Sequence, residues 1–281
     1  MRTAVALLLL AVPALAADPP TLTLKVTHRI PRQEEFIVQE PGVGPVKKTR
    51  TVAAPVTAEK RVAPAQCALI LCDVWDDHWC KAAATRCDGL AKRIAELVEV
   101  ARRQGFVVIH CPSDTMAFYK DSPARKRAQA APDVKPPKNK ELPDPPLPID
   151  DSDGGCDDAT PVKSFKAWTR QHAAIKIDEG KDYVTDNGRE VFNILKDEGV
   201  KTVFVLGVHT NMCVLNRSFA VKQLRRWDVD CLLVRDLTDA MYNPKMKPFV
   251  THAEGTNLVI EHIERYWCPS VASDQLRSPK K

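Results

Sequence analysis

Short uninterrupted apolar runs alternate along this chain with segments of helical periodicity, and that alternation leaves few folds open. Residues 67–73 read Cys-Ala-Leu-Ile-Leu-Cys-Asp, an apolar run ended by an acid. Its length and lack of alternation describe a strand buried on both faces. Across 88–104, Leu90, Ile94, Leu97, Val98 and Ala101 recur at helical spacing until Gly105 stops the helix. Residues 106–111 make a second buried strand. Strand, helix, strand in this order calls for a right-handed crossover and parallel pairing. The pattern resumes with a short strand at 173–177, then an amphipathic helix at 187–198 stopped by Gly199. A β-prone strand at 202–206 ends at Gly207, and a helix at 210–227, a strand at 230–234 and a helix at 252–267 follow. The expectation is an α/β fold: a doubly wound, Rossmann-like parallel sheet flanked by helices, with ligands at the carboxyl ends of its strands.

The chain has 281 residues with 44% hydrophobic content, enough for one large α/β domain with extensions. Its start has a short positive region, an apolar run from Ala4 to Leu10 and the small-residue pattern Ala14-Leu15-Ala16. This reads as a secretory signal peptide over 1–17, cleaved after Ala16 or Ala17, and places the protein outside the cytoplasm. Residues 18–65 read as an N-terminal extension of edge strands or a wrapping arm, 66–268 as the α/β domain and 269–281 as a tail. Residues 117–160, rich in Lys, Arg, Pro and Asp, interrupt the domain as a long, partly extended loop. Their acidic end suggests a calcium loop, but Val162 stands where that loop needs Glu, so a solvated acidic loop is the reading. The net charge of +5 has no basic stripe interleaved with aromatics, and no later segment is apolar enough to span a bilayer. Neither nucleic acid nor membrane is an expected partner.

Two positions invite chemistry. Asp73 closes a buried strand at the rim where active sites of this architecture lie. Desolvation there suits a carboxyl to proton transfer, and a turn-capping role is the alternative. Cys213 follows the turn Gly207-Val208-His209-Thr210 at the start of the 210–227 helix. First-turn amides and the helix dipole favour a thiolate and can hold an oxyanion. The alternative is a structural thiol or half a disulfide, since export would favour pairing among the nine cysteines and nine is odd.

An Asp ending the first strand and a later Gly-Val-x-Thr-x-x-Cys-Val turn resemble the isochorismatase-like cysteine hydrolases, which include nicotinamidases and N-carbamoylsarcosine amidases. Asn193-Ile194-Leu195 through Gly199-Val200 and Leu233 through Ala240 extend the likeness over roughly 66–265. The resemblance implies an Asp–Lys–Cys triad, with Cys213 as nucleophile and Asp73 as proton shuttle. It also implies a cis Val208–His209 peptide aiming an amide into the oxyanion hole. Lys181 comes nearest to the family's lysine, one residue out of register and without its usual context; Lys176 is the other candidate. Trp75, Trp79 and His209 are candidate pocket walls. The nicotinamidase Asp-x-His element is missing, and His78, His110 and Asp114 lack ligand spacing, so no metal and no cofactor are expected. The resulting expectation is a hydrolase acting on a C–N bond of a small amide or ureide, associated as a homo-oligomer by analogy with relatives. The competing expectation is a catalytically inactive secreted α/β protein that binds a partner.

Overall fold

The structure is a computed structural model that describes residues 21–160 and 162–277. The leader expected over 1–17 lies outside the described residues. Eight strands form one sheet in the order β2-β1-β8-β7-β6-β3-β4-β5. Strands β3 (Cys67–Cys72), β4 (Val107–Cys111), β5 (Tyr183–Val184), β6 (Thr202–Val208), β7 (Asp230–Asp239) and β8 (Ser270–Val271) run parallel. An antiparallel hairpin of β1 (Leu22–Glu40) and β2 (Gly44–Val62) joins the β8 edge through Thr27 and Ser270.

Period-2 geometry divides the buried strand residues between two cores. Ala68, Ile70, Val203 and Val205 face α3 (Gly188–Asp197), α5 (Val221–Arg226) and α6 (His252–Tyr266). Leu69, Leu71, Phe204 and Leu206 face the apolar stripe Ala91, Ile94, Leu97, Val98 and Ala101 of α1 (Lys81–Gln104). Helix signals act locally. Gly105 closes α1 in the left-handed conformation, the Asn187 side chain caps α3, and Thr251 with Glu254 forms a capping box on α6.

Four regions depart from the sequence expectation. The 173–177 segment is a turn that buries Ile175, and the edge strand forms instead at β5. The 117–160 insert contains a helix, α2 (Pro123–Ala130), started by proline and capped by Ser122. Residues 269–277 are integrated, not a tail, because β8 extends the sheet and Leu276 is buried. The 210–227 helix breaks into α4 (Cys213–Asn216) and α5, with Arg217 extended between them. Gly188 lies against this break: a Cβ there would sit 2.0 Å from the Ser218 carbonyl oxygen. Among the described residues no helix is long and apolar enough to cross a membrane.

Candidate active site

Chain reversal between β3 and β6 opens a crevice at their carboxyl ends, the switch point of a doubly wound sheet. Asp73 leaves β3 and Cys213 follows β6, so the two meet there. Gly207 lets the strands close up: a Cβ at this position would lie 2.0 Å from the Cys72 carbonyl oxygen. The Val208–His209 peptide is cis.

Asp73 is fully buried on left-handed backbone, with φ of 52°. Its Oδ1 accepts the Ser113 amide at 2.7 Å, and its Oδ2 accepts Arg217 Nε at 2.8 Å. The Cys213 thiol also donates to this carboxylate. Burial raises the Asp73 pKa, while Arg217, the thiol and the Ser113 amide restrain the rise. Burial also pushes the Cys213 thiol up to about 12, assisted by the Asp73 charge and opposed by Arg217 and the His209 amide.

Burial and the Asp73 carboxyl therefore work against the thiolate that the sequence leads one to expect at a helix terminus. Helix α4 has only 4 residues, so its terminus offers little charge, and the sulfur lies beside the Asp73 carboxyl at the floor of the site.

Lys181 is not at this site. It is exposed and lines a recess with Gly105, Phe106 and Val107 at the amino end of β4, across the sheet from Asp73. Lys176, in the turn that replaces the expected strand, is exposed as well. The cation on Asp73 is Arg217, which also reaches Asp114 at 3.5 Å and lies 6.0 Å from the Trp75 ring centre. Arg217 stands four residues after Cys213, a spacing that shares one face of a helix. That spacing is the sequence signal for its place beside Cys213.

A cavity of about 470 Å³ over the sulfur is lined by Leu147, Asp151, Asn211, Met212, Cys213, Asn216 and Arg217. Asp151 of the insert accepts the Asn211 side-chain amide at 2.7 Å, so the insert forms part of the rim. A second recess of about 800 Å³ shares Asn216 and Arg217 and adds Asp186 and Arg189. Trp75 and His209 are buried behind the cavity and do not line it. Trp75 stacks on Trp168 at 4.2 Å and donates Nε1 to the Ser113 carbonyl. Trp168 had no sequence signal, because only the fold brings it to Trp75. Trp79 instead covers Gly154 in the acidic part of the insert.

Burial holds His209 and His78 neutral, at about 3 and about 4. His78, His110 and Asp114 do not converge: His78 accepts the Cys80 amide, His110 bridges Gln171 and Asp182, and Asp114 pairs with Arg217. Three carboxylates of the acidic stretch are spent on protein side chains. Asp151 takes Asn211, Asp153 takes Asn243, and Asp157 takes Arg86.

No curated protein matches the chain. Among solved structures it is similar to a cysteine hydrolase from Pseudomonas syringae pv. phaseolicola, at 15% identity over 76% of this chain and 92% of that one, with a TM-score of 0.47. It is also similar to an isochorismatase from Pseudomonas putida, at 13% identity over 75% and 90%, with a TM-score of 0.45. An isochorismatase family protein from Burkholderia thailandensis matches at 12% identity over 75% and 93%, with a TM-score of 0.41. The sequence model of the Isochorismatase domain matches residues 67–260, from the first parallel strand into α6. The chain belongs to the isochorismatase family, and that membership supports hydrolase chemistry.

Proposed function

We propose that this protein is an exported cysteine hydrolase that cleaves the C–N bond of a small amide or ureide. The observation that carries the reading is the contact of Asp73 with both the Cys213 thiol and the Arg217 guanidinium below an open cavity. Asp73 takes the thiol proton as sulfur attacks the carbonyl carbon. The Arg217 charge compensates the carboxylate before transfer and the developing sulfur charge during it. The His209 and Cys213 amides hold the oxyanion. The C–N bond then breaks, and protonated Asp73 returns its proton to the leaving nitrogen. Water, deprotonated by Asp73, attacks the thioester; the acid leaves and the thiol is restored. Arg217 thus takes the place the family gives to lysine.

A panel of small primary amides and ureides, assayed for released ammonia or amine, tests this reading. The expected result is turnover by the wild type, none by C213S, and partial turnover by R217K with far less in R217M. Turnover unchanged in C213S, or no acyl-enzyme and no turnover on any panel member, would move the non-catalytic binding reading to first place. Export rests on the Ala4–Ala16 leader. Its check is the amino terminus of the mature protein, expected at Ala17 or Asp18.

A further inference from the structure

Apart from the Cys213 site, a second sulfur-bearing cluster lies where the insert meets the start of α1. Cys80 is the residue before the first turn of α1, and Cys156 and Asp158 come from the acidic end of the insert. One sulfur from each cysteine and a carboxylate oxygen all lie within 4.8 Å of one another. The Cys80 thiol donates to the neighbouring Asp157 Oδ1 at 3.8 Å. The cysteines are fully buried, and Asp158 is partly exposed. We propose that Cys80, Cys156 and Asp158 bind a thiophilic divalent cation, with Zn²⁺ the best fit.

Three observations favour this occupant. The donor set of two sulfurs and one oxygen suits zinc and is wrong for magnesium or calcium. Tetrahedral zinc with Zn–S of about 2.3 Å needs ligands about 3.7 Å apart, so the cluster is already near the required size. The carboxylate is also oriented from behind: Asp158 Oδ2 accepts the Lys81 amide at 2.9 Å and Oδ1 the Ala82 amide at 2.8 Å. Such outer contacts fix a ligand's direction before the ion arrives. Partial exposure of Asp158 leaves room for water as the fourth ligand.

Binding releases two protons, one from each thiol, and forms two metal–sulfur bonds with no change of oxidation state. Two thiolates and a carboxylate around a dication leave one net negative charge. It sits at the amino end of a 24-residue helix, where a negative charge is favoured. The ion would clamp residues 150–158 onto α1. The same segment supplies Asp151 to Asn211 at the rim of the Cys213 cavity, so the ion braces that rim without touching the reaction.

The test is Co²⁺ titration of the full-length protein, with intact mass measured first. The expected result is one equivalent of Co²⁺ bound with thiolate-to-cobalt charge-transfer absorption, displaced by Zn²⁺. Neither C80S nor C156S should show the band, and D158N should bind at least tenfold more weakly. Zn²⁺ should raise the melting temperature of the wild type and leave that of C156S unchanged. Far-UV circular dichroism establishes that each variant is folded. The absence of a band in folded, reduced wild type would overturn the proposal, as would a band retained in both serine variants. A mass two hydrogens short with linked Cys80 and Cys156 peptides would overturn it in favour of a disulfide. All these readouts are independent of hydrolysis, so their failure leaves the reading of Cys213 untouched.

Discussion

Asp73 and Asp182 are both buried aspartates held by an arginine, at opposite ends of the same sheet. Asp182 precedes β5 at the amino end, where Arg102, His110 and the Asp178 amide all donate to it. Burial alone would raise its pKa, but the His110 and Arg102 hydrogen bonds prevail and hold the carboxyl below its ordinary range. Asp73 has the Ser113 amide, one guanidinium and a thiol, and burial prevails. Richer donor supply at Asp182 and deeper burial at Asp73 together separate a structural carboxylate from one poised to accept a proton. The most weakly held acid is also the one whose third donor is the reacting group.

The largest expected effect tests the Asp73 side of that contrast. D73N should lower kcat/KM on any amide substrate by about 10³-fold, the loss of a general acid–base. The same variant should be alkylated by iodoacetamide at Cys213 faster than the wild type at pH 8. The Asp73 charge raises the thiol pKa, so its removal lowers it and populates thiolate. In the wild type the labelling midpoint should lie above the free-thiol value of about 8.5. Slower labelling of D73N, read by peptide mass spectrometry, would mean that Asp73 activates the resting thiol.

D182N should act on stability. Breaking a buried ion pair from one side costs about 3 kcal/mol, readable as a lower urea midpoint at pH 7. The pH dependence has a definite sign. A lowered folded pKa contributes stability above the unfolded value near 3.9 that is lost as pH falls through the folded value. The gap between D182N and wild type should therefore narrow on acidification below about pH 4. A constant gap would place the cost in packing instead of charge. The smallest effect belongs to K181A: less than about twofold in activity and within about 0.5 kcal/mol in stability. A large activity loss there would restore the lysine triad.

Much of the fold was legible because burial on both faces leaves continuous apolar runs, as in β3 and β6, and because helix stops are local. Gly105, Asn187 and Thr251 act within a turn of their own helices. The hairpin was only half legible. Outside its base, both faces of β1 and β2 are largely exposed, and no alternation marks where a strand ends. At the site, Asp73 and Cys213 were readable from strand ends and the turn after β6. Arg217 was legible only in part: its four-residue spacing from Cys213 sets it beside the site, but the helix ends at Asn216 and the extended backbone at Arg217 has no local sequence signal. The 173–177 segment misled for a related reason: one buried Ile175 in a turn imitates a short strand.

Gly188 sits where the first turn of α3 presses on the backbone just after Arg217. Any side chain at 188 would displace that backbone, and with it the guanidinium on Asp73. A residue with no functional atom of its own thus sets where the cation of the site can stand, so G188A should disturb the Asp73–Arg217 pair without touching either partner.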